Sequence, residues 1–463
     1  MMPLLVSCFD SGTAGEVGAK RAAAKTISLD VRRSLVVTEQ PILARFGFQR
    51  VMEKLAADAG DASVTAGALF TQWWDTQNPG PGLGRGPHCD DEVSGGATSL
   101  NGYPYLCRPA PSEGAQSACD PFTAGSPCEY IPVGLFNRFD LAPEDASNCG
   151  EYRIVYAKRT GIDDSRDRNL VIFEAVMPNP HPQQGLKGCR KIVDVWADLT
   201  DVADVEGRAD ALEDFYFAGQ GNVPPVVAIE HYGNNADGLG QIRTNQFSNT
   251  TTGWSLREFK LQGQGSGLVF APVTVKTNPF GPLFAPGSPL PGAAAFQATF
   301  PAETESLAAD EIALITLSVP DEFNSGQSQS SGAFAEEMRY PGQFEPNTVL
   351  REGIELELAG LSSGLTADDI VLRAQAQSCA GCHRLSNGAE LGGGLVWPSS
   401  LGFTHVSERD TEAVDGVTRY LISPALLDAF LPHRKAVMED YLNNKPRPPK
   451  APDMPIGGRR SHG

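Results

Sequence analysis

The sequence predicts a multidomain α+β protein: a β-rich antiparallel central domain, helical additions ahead of it, and a C-terminal module bounded by two helices. Three observations carry this. Between residues 130 and 280, short runs alternate apolar and polar residues and are separated by Gly- and Asn-rich turns, the pattern of strands with one face buried. Ahead of them, Phe48, Val51, Met52 and Leu55 hold the spacing of one helix face. Near the end, Thr366 and Asp369 fit a capping box and Pro432 opens a further helical pattern. At 463 residues and 41% hydrophobic content the chain can bury a sizeable core. No apolar run approaches the roughly 18 residues of a membrane span. The net charge of -19 argues against nucleic acid as a partner.

In chain order, residues 1–30 are mostly small and polar and are expected to form a signal remnant or tether. Residues 31–130 form a helical and Cys-rich part. A second helix is expected around 69–74, with Trp73 and Trp74 as packing residues, although paired tryptophans beside the Gly-rich run 80–86 could also line a cleft. The β-rich domain spans 131–300, with strands over 151–158, 169–177, 225–231, 241–247, 255–261 and 268–275 and a helix around 212–217. Residues 301–364 read as a helical linker region with a helix over 303–317 and a polar break at 325–332. The C-terminal module covers 365–445, and the basic, Pro-containing tail 446–463 is expected to be disordered.

Within the C-terminal module, Ala367, Ile370, Val371 and Ala374 fall on one helix face. This helix runs into Ser378-Cys379-Ala380-Gly381-Cys382-His383-Arg384. Cys379, Cys382 and His383 form the C-x-x-C-H pattern of covalent haem attachment, in which two thiols reach two vinyl groups on one porphyrin edge and the next imidazole reaches the iron. The competing interpretations are a redox dithiol, half of a zinc site, and accident. With nine Cys and seven His, chance supplies this pattern roughly 0.003 times in such a chain. A redox dithiol should open a helix after a buried strand, whereas this one follows a helix. A zinc site needs four ligands, and no second Cys pair of this spacing exists.

A helix entering C-x-x-C-H and a closing helix that presents Val437, Met438, Tyr441 and Leu442 on one face resemble class I cytochrome c, over residues 365–444. The resemblance implies an all-α haem domain, one covalent haem c on Cys379 and Cys382, His383 as proximal iron ligand, and electron transfer to a redox partner protein. The family's distal ligand, usually a Met on the loop before the last helix, has no counterpart. His405, 22 positions after His383, is the candidate distal ligand in that loop, and it could equally be an ordinary loop histidine. Met438 is a weaker candidate, because a thioether on a packed helix face is more often a core gap-filler. A five-coordinate or water-ligated iron stays open.

Cysteine usage points to export. Leu5-Val6-Ser7-Cys8 matches a lipobox but lacks a basic region and a full apolar core before it, so Cys8 is a candidate lipidation site or a free thiol. Cys89, Cys107, Cys119, Cys128, Cys149 and Cys189 remain, four of them in the Gly/Pro/Ser-rich stretch 79–132. Three disulfides are expected, in a periplasmic or cell-surface protein that meets the membrane only through a lipid anchor. Asp163, Ser165, Asp167 and Asn169 alternate like the start of a calcium loop that nothing completes. Glu230, His231 and Tyr232 could converge with Arg243 and Asn245 on one sheet face, although satisfied polar groups are the simpler interpretation. Three functions fit: electron transfer by a mono-haem module fused to a β-rich domain, a haem-dependent oxidoreductase of peroxidase or dehydrogenase type, and a surface binding protein with a structural cytochrome-like module. No catalytic residue is identifiable.

Overall fold

The computed structural model describes residues 26–108, 118–248, 253–332, 335–345 and 347–445. Cys8, its lipobox and the basic tail lie outside them. Helices α1 (Phe48–Asp58) and α2 (Ala66–Asp75) form where the helical spacing predicts. Their inward residues include Trp73 and Trp74, both nearly inaccessible, so the tryptophan pair is core. Strands β2 (Val93–Ser94), β3 (Ala97–Leu100) and β4 (Tyr103–Pro104) make a small meander. Disulfides join Cys89 to Cys107, Cys119 to Cys128 and Cys149 to Cys189. Such pairs form and persist in oxidising compartments. No helix among the described residues is long and apolar enough to cross a membrane.

The centre is one antiparallel sheet. Its order is β1 (Val36–Val37), β5 (Tyr130–Arg138), β6 (Asn148–Lys158), β7 (Asn169–Pro178), β8 (Gln241–Ser248), β9 (Gly253–Gln262) and β10 (Val269–Val273). Strand β11 (Gln327–Gln329) pairs with β9 alongside β10. Register divides the sheet into two unlike faces. Ile154 opposes Phe173, Phe173 opposes Ile242, and Ile242 opposes Phe259. This apolar face packs on α1 and α2, with Phe48 5.1 Å from Tyr156 and Trp73 6.3 Å from Phe259. The other face presents Glu151, Arg153, Glu174, Arg243 and Glu258, yet Glu174 and Glu258 are at most 1% exposed. Charges so buried must be paired, and Arg153 and Arg243 both reach Glu174 while Arg243 also reaches Glu258.

Several expectations fail for local reasons. The strand expected over 225–231 is a loop ending in a 3-10 turn, Ile229–Tyr232, since Pro224 and Pro225 remove two ladder donors. Helix α3 (Arg190–Asp198) was not anticipated, and α4 (Val205–Glu213) runs into the π-turn Asp214–Ala218. The helix expected over 303–317 is broken, because the buried Arg373 guanidinium takes the carbonyls of Leu307 and Ala309 for itself. Of the supposed tether, Leu29 is buried, and its N–H donates to Glu439.

The C-terminal part corrects the largest expectation. Helices α5 (Thr348–Gly360), α6 (Ala367–Gln377) and α7 (Leu431–Leu442) are present, and both halves of the Thr366/Asp369 capping box form. Between α6 and α7, however, lies a β-hairpin, β12 (Val406–Val414) and β13 (Val417–Ile422). Its turn places Asp415 at φ 51° and Gly416 at φ 78°, the conformation that Asp-Gly favours between antiparallel strands. The two helices also bury their apolar faces in different cores. Ile370, Val371 and Ala374 pack with Trp254 and Phe284, while Val437, Met438 and Leu442 join the cluster under β5–β7. An all-α class I cytochrome c domain, with its terminal helices crossed over one pocket, is therefore not what residues 365–445 form.

Candidate functional site

The motif follows directly from the end of α6. Ser378 turns the chain: its hydroxyl donates to Gln375 O at 2.7 Å and accepts from Gly381 N at 3.0 Å. Ala380 N donates to Ser328 Oγ of β11 at 2.9 Å, which fastens the motif to the sheet. Residues Gly381–Leu385 form a π-turn, a rare geometry frequent at functional sites. Glycine is required at 381 because a Cβ there would collide with the Gln375 carbonyl oxygen.

His383 is held from three directions. Its Nδ1 lies 2.8 Å from Phe403 O, an acceptor only, so Nδ1 carries the proton and Nε2 keeps its lone pair. Asn245 Nδ2 donates to the same carbonyl at 2.6 Å, and Asn245 Oδ1 accepts from Trp254 Nε1 at 2.5 Å. The Trp254 ring lies 5.6 Å from that of His383. Phe403 sits at φ 79°, a left-handed conformation that costs a bulky residue on the order of 1 kcal/mol or more. The strain falls at the residue whose carbonyl orients the histidine.

His405 is brought to the motif. Its Nδ1 lies 2.8 Å from Ser423 Oγ and its Nε2 3.4 Å from Cys382 Sγ. Burial pushes the Cys379 thiol up to about 11 and the Cys382 thiol up to about 12, and it pulls His383 down to about 4 and His405 well below the usual histidine range. At neutral pH all four donors are therefore uncharged. Cys379 and Cys382 are both unpaired and half-buried. An open cleft lined by Ser330, Arg339, Arg384, Leu385, Asn387 and Phe403 lies at the C-terminal end of the motif.

Two free thiols three residues apart and an imidazole with an anchored Nδ1 and a free Nε2 fit the attachment side of a haem. His405 does not fit as the ligand opposite His383. Imidazoles on opposite faces of one iron, with bonds of about 2 Å each, place their ring centres roughly 6 Å apart, whereas these two lie 4.6 Å apart. Met438 is fully buried, and its Sδ accepts from Asn137 Nδ2 at 3.4 Å, so it fills the core. Among the described residues, no group of three or more Cys, His, Asp or Glu is arranged to hold a metal ion.

The remaining sequence candidates disperse. Asp167 is held by Lys158 Nζ at 2.8 Å instead of completing a calcium loop. His231 Nδ1 lies against Val226 O at 3.1 Å, and Tyr232 packs on Phe173 of the apolar face, away from Arg243 and Asn245. Asn245, expected with Arg243 in a polar site around His231, belongs instead to the site around His383, and Trp254 was missed; the one signal for it is that it shares a sheet face with the charged residues. No protein-family model matches the chain, and no curated protein or solved structure matches it. With a hairpin between its helices and no match to any family, the chain resembles class I cytochrome c in the C-x-x-C-H residues and not in fold.

Proposed function

We propose that this is an exported protein that carries one covalently attached haem c at Cys379 and Cys382, ligated by His383, within a fold unlike that of class I cytochrome c, and that it exchanges electrons with a redox partner protein. The observation that carries the proposal is the division among the eight described cysteines: six are in disulfides, and the two of the C-x-x-C-H motif are not. In a compartment that oxidises thiols, a neighbouring pair left reduced needs another fate, and thioether bonds to two vinyl groups provide one. When bound, haem supplies one-electron chemistry. The chain's part is to orient the His383 ring through Phe403 O, Asn245 and Trp254 and to keep water from the buried side of the motif. A lipid anchor on Cys8 belongs to the same proposal.

The 4.6 Å separation of the two imidazole rings favours a second reading, a haem-dependent oxidoreductase, in which His383 would hold the group without His405 and the haem would supply ligand-binding as well as one-electron chemistry. Expression in a host that matures haem c tests both. Haem stain should stay with the chain in a denaturing gel and vanish in Cys379→Ala/Cys382→Ala. A wild-type chain without stain, or stain that persists in the double variant, would end the proposal. Carbon monoxide binding by the reduced wild-type protein selects the oxidoreductase; no binding selects the electron carrier.

A further inference from the structure

Two arginines line the cleft at the C-terminal end of the motif, in a chain whose net charge is -19. Among the described residues, no Asp or Glu lines it with them. Arg384 directly follows His383 and is exposed. Its guanidinium lies 5.3 Å over the Phe403 ring, and it makes no ion pair or side-chain hydrogen bond among the described residues. Arg339 has a partner, Glu336 at 3.0 Å, but the two side chains are 49% and 79% exposed. So exposed a pair holds its charges only weakly.

A second observation points to a ligand. Ser330, two positions beyond the Ser328 that fastens Ala380, lines the same cleft, is only 6% exposed, and has no hydrogen-bond partner for its Oγ. A buried hydroxyl is unfavourable until such a partner arrives. Next to it, Ser331 Oγ accepts from Trp254 N at 2.9 Å, which ties the cleft wall to the ring that packs on His383. Leu385 and Phe403 make the wall partly apolar, and the volume, about 460 Å³, is that of a small-molecule site. We propose that this cleft binds an organic carboxylate: Arg384 and Arg339 hold the carboxylate, Ser330 Oγ donates to it, and Leu385 and Phe403 cover its carbon skeleton. A planar guanidinium matches a carboxylate in shape and charge. An inorganic oxyanion would satisfy the arginines and leave the apolar wall uncovered. The site stands independently of haem attachment, since Cys379, Cys382 and His383 are not among its groups.

Calorimetric titration of the purified protein with sodium cyclohexanecarboxylate, at fixed ionic strength, tests this. One saturable site is expected, and near-UV circular dichroism should change with the same midpoint, because Trp254 adjoins the cleft wall. Arg384→Gln should weaken binding about tenfold or more. Arg384→Lys, which keeps the charge and loses the fork, should fall between, and Ser330→Ala should also weaken binding. Arg166→Gln, which removes an exposed arginine outside the cleft, should leave the affinity unchanged. Three results would overturn the proposal: no saturable binding, equal losses in Arg384→Gln and Arg166→Gln, or inorganic phosphate binding as tightly as the carboxylate.

Discussion

The pair Arg168 and Glu408 should control whether the His383 anchor exists at all. Arg168, at the entrance to β7, donates from Nε to Glu408 Oε1 at 2.5 Å and from Nη2 to Oε2 at 2.8 Å. It also donates to Gly402 O at 2.8 Å and to Thr404 Oγ1 at 3.2 Å. These bonds clamp the segment that carries Phe403 and His405. The side chains are 9% and 0% exposed, so removing either partner strands a buried charge, at a cost of about 3–5 kcal/mol. With a urea m-value of about 3 kcal/mol/M, Arg168→Met and Glu408→Gln should each lower the unfolding midpoint by roughly 1–1.7 M. The double variant Arg168→Met/Glu408→Met leaves no stranded charge and should recover much of the loss. Tryptophan fluorescence follows unfolding, and the near-UV signal of Trp254 reports on the site, because freeing Phe403 O lets the neighbouring His383 ring move. Single variants within about 1 kcal/mol of wild type, or losses that simply add in the double variant, would refute the reasoning.

Two further outcomes follow from the same packing. Gly381→Ala should destabilise by about 1–3 kcal/mol, since its Cβ meets fixed backbone at Gln375. Gly388→Ala, with open space around it but φ 70°, should cost only about 1 kcal/mol; equal thermal midpoints for wild type and Gly381→Ala would contradict this. On the acid side, Glu151 is held at about 2, against the upward push of burial, by Arg153, then Lys276, Arg138 and Arg243. Because its folded value lies below its unfolded one, this stabilisation is complete above pH about 4.5 and is lost as pH falls towards 2, on the order of 3 kcal/mol. Urea midpoints measured down that range should fall, and a flat profile would count against the buried network.

Some of this protein was determined by sequence alone because the signals are local. Helical spacing from Phe48 to Leu55, the Thr366/Asp369 box, the alternation in β6 to β9 and the even set of six cysteines all act within one element or follow from redox chemistry, and the structure realises each. The C-x-x-C-H residues were equally legible, but their surroundings were not. The Asp415-Gly416 turn was a readable hairpin signal, yet Ser407 to Glu412 offers no apolar alternation to accompany it. Only the tertiary structure decided that the charged face of the sheet lies inside. Glu174 and Glu258 alternate like solvent-facing residues, and what buries them is pairing with Arg153 and Arg243 on neighbouring strands. Asn245 meets His383 across 138 positions, and Arg434 meets Asp140 from the far end of the chain. Periodicity tells which residues share a face; which element covers that face, and which charges pair beneath it, depends on long-range packing.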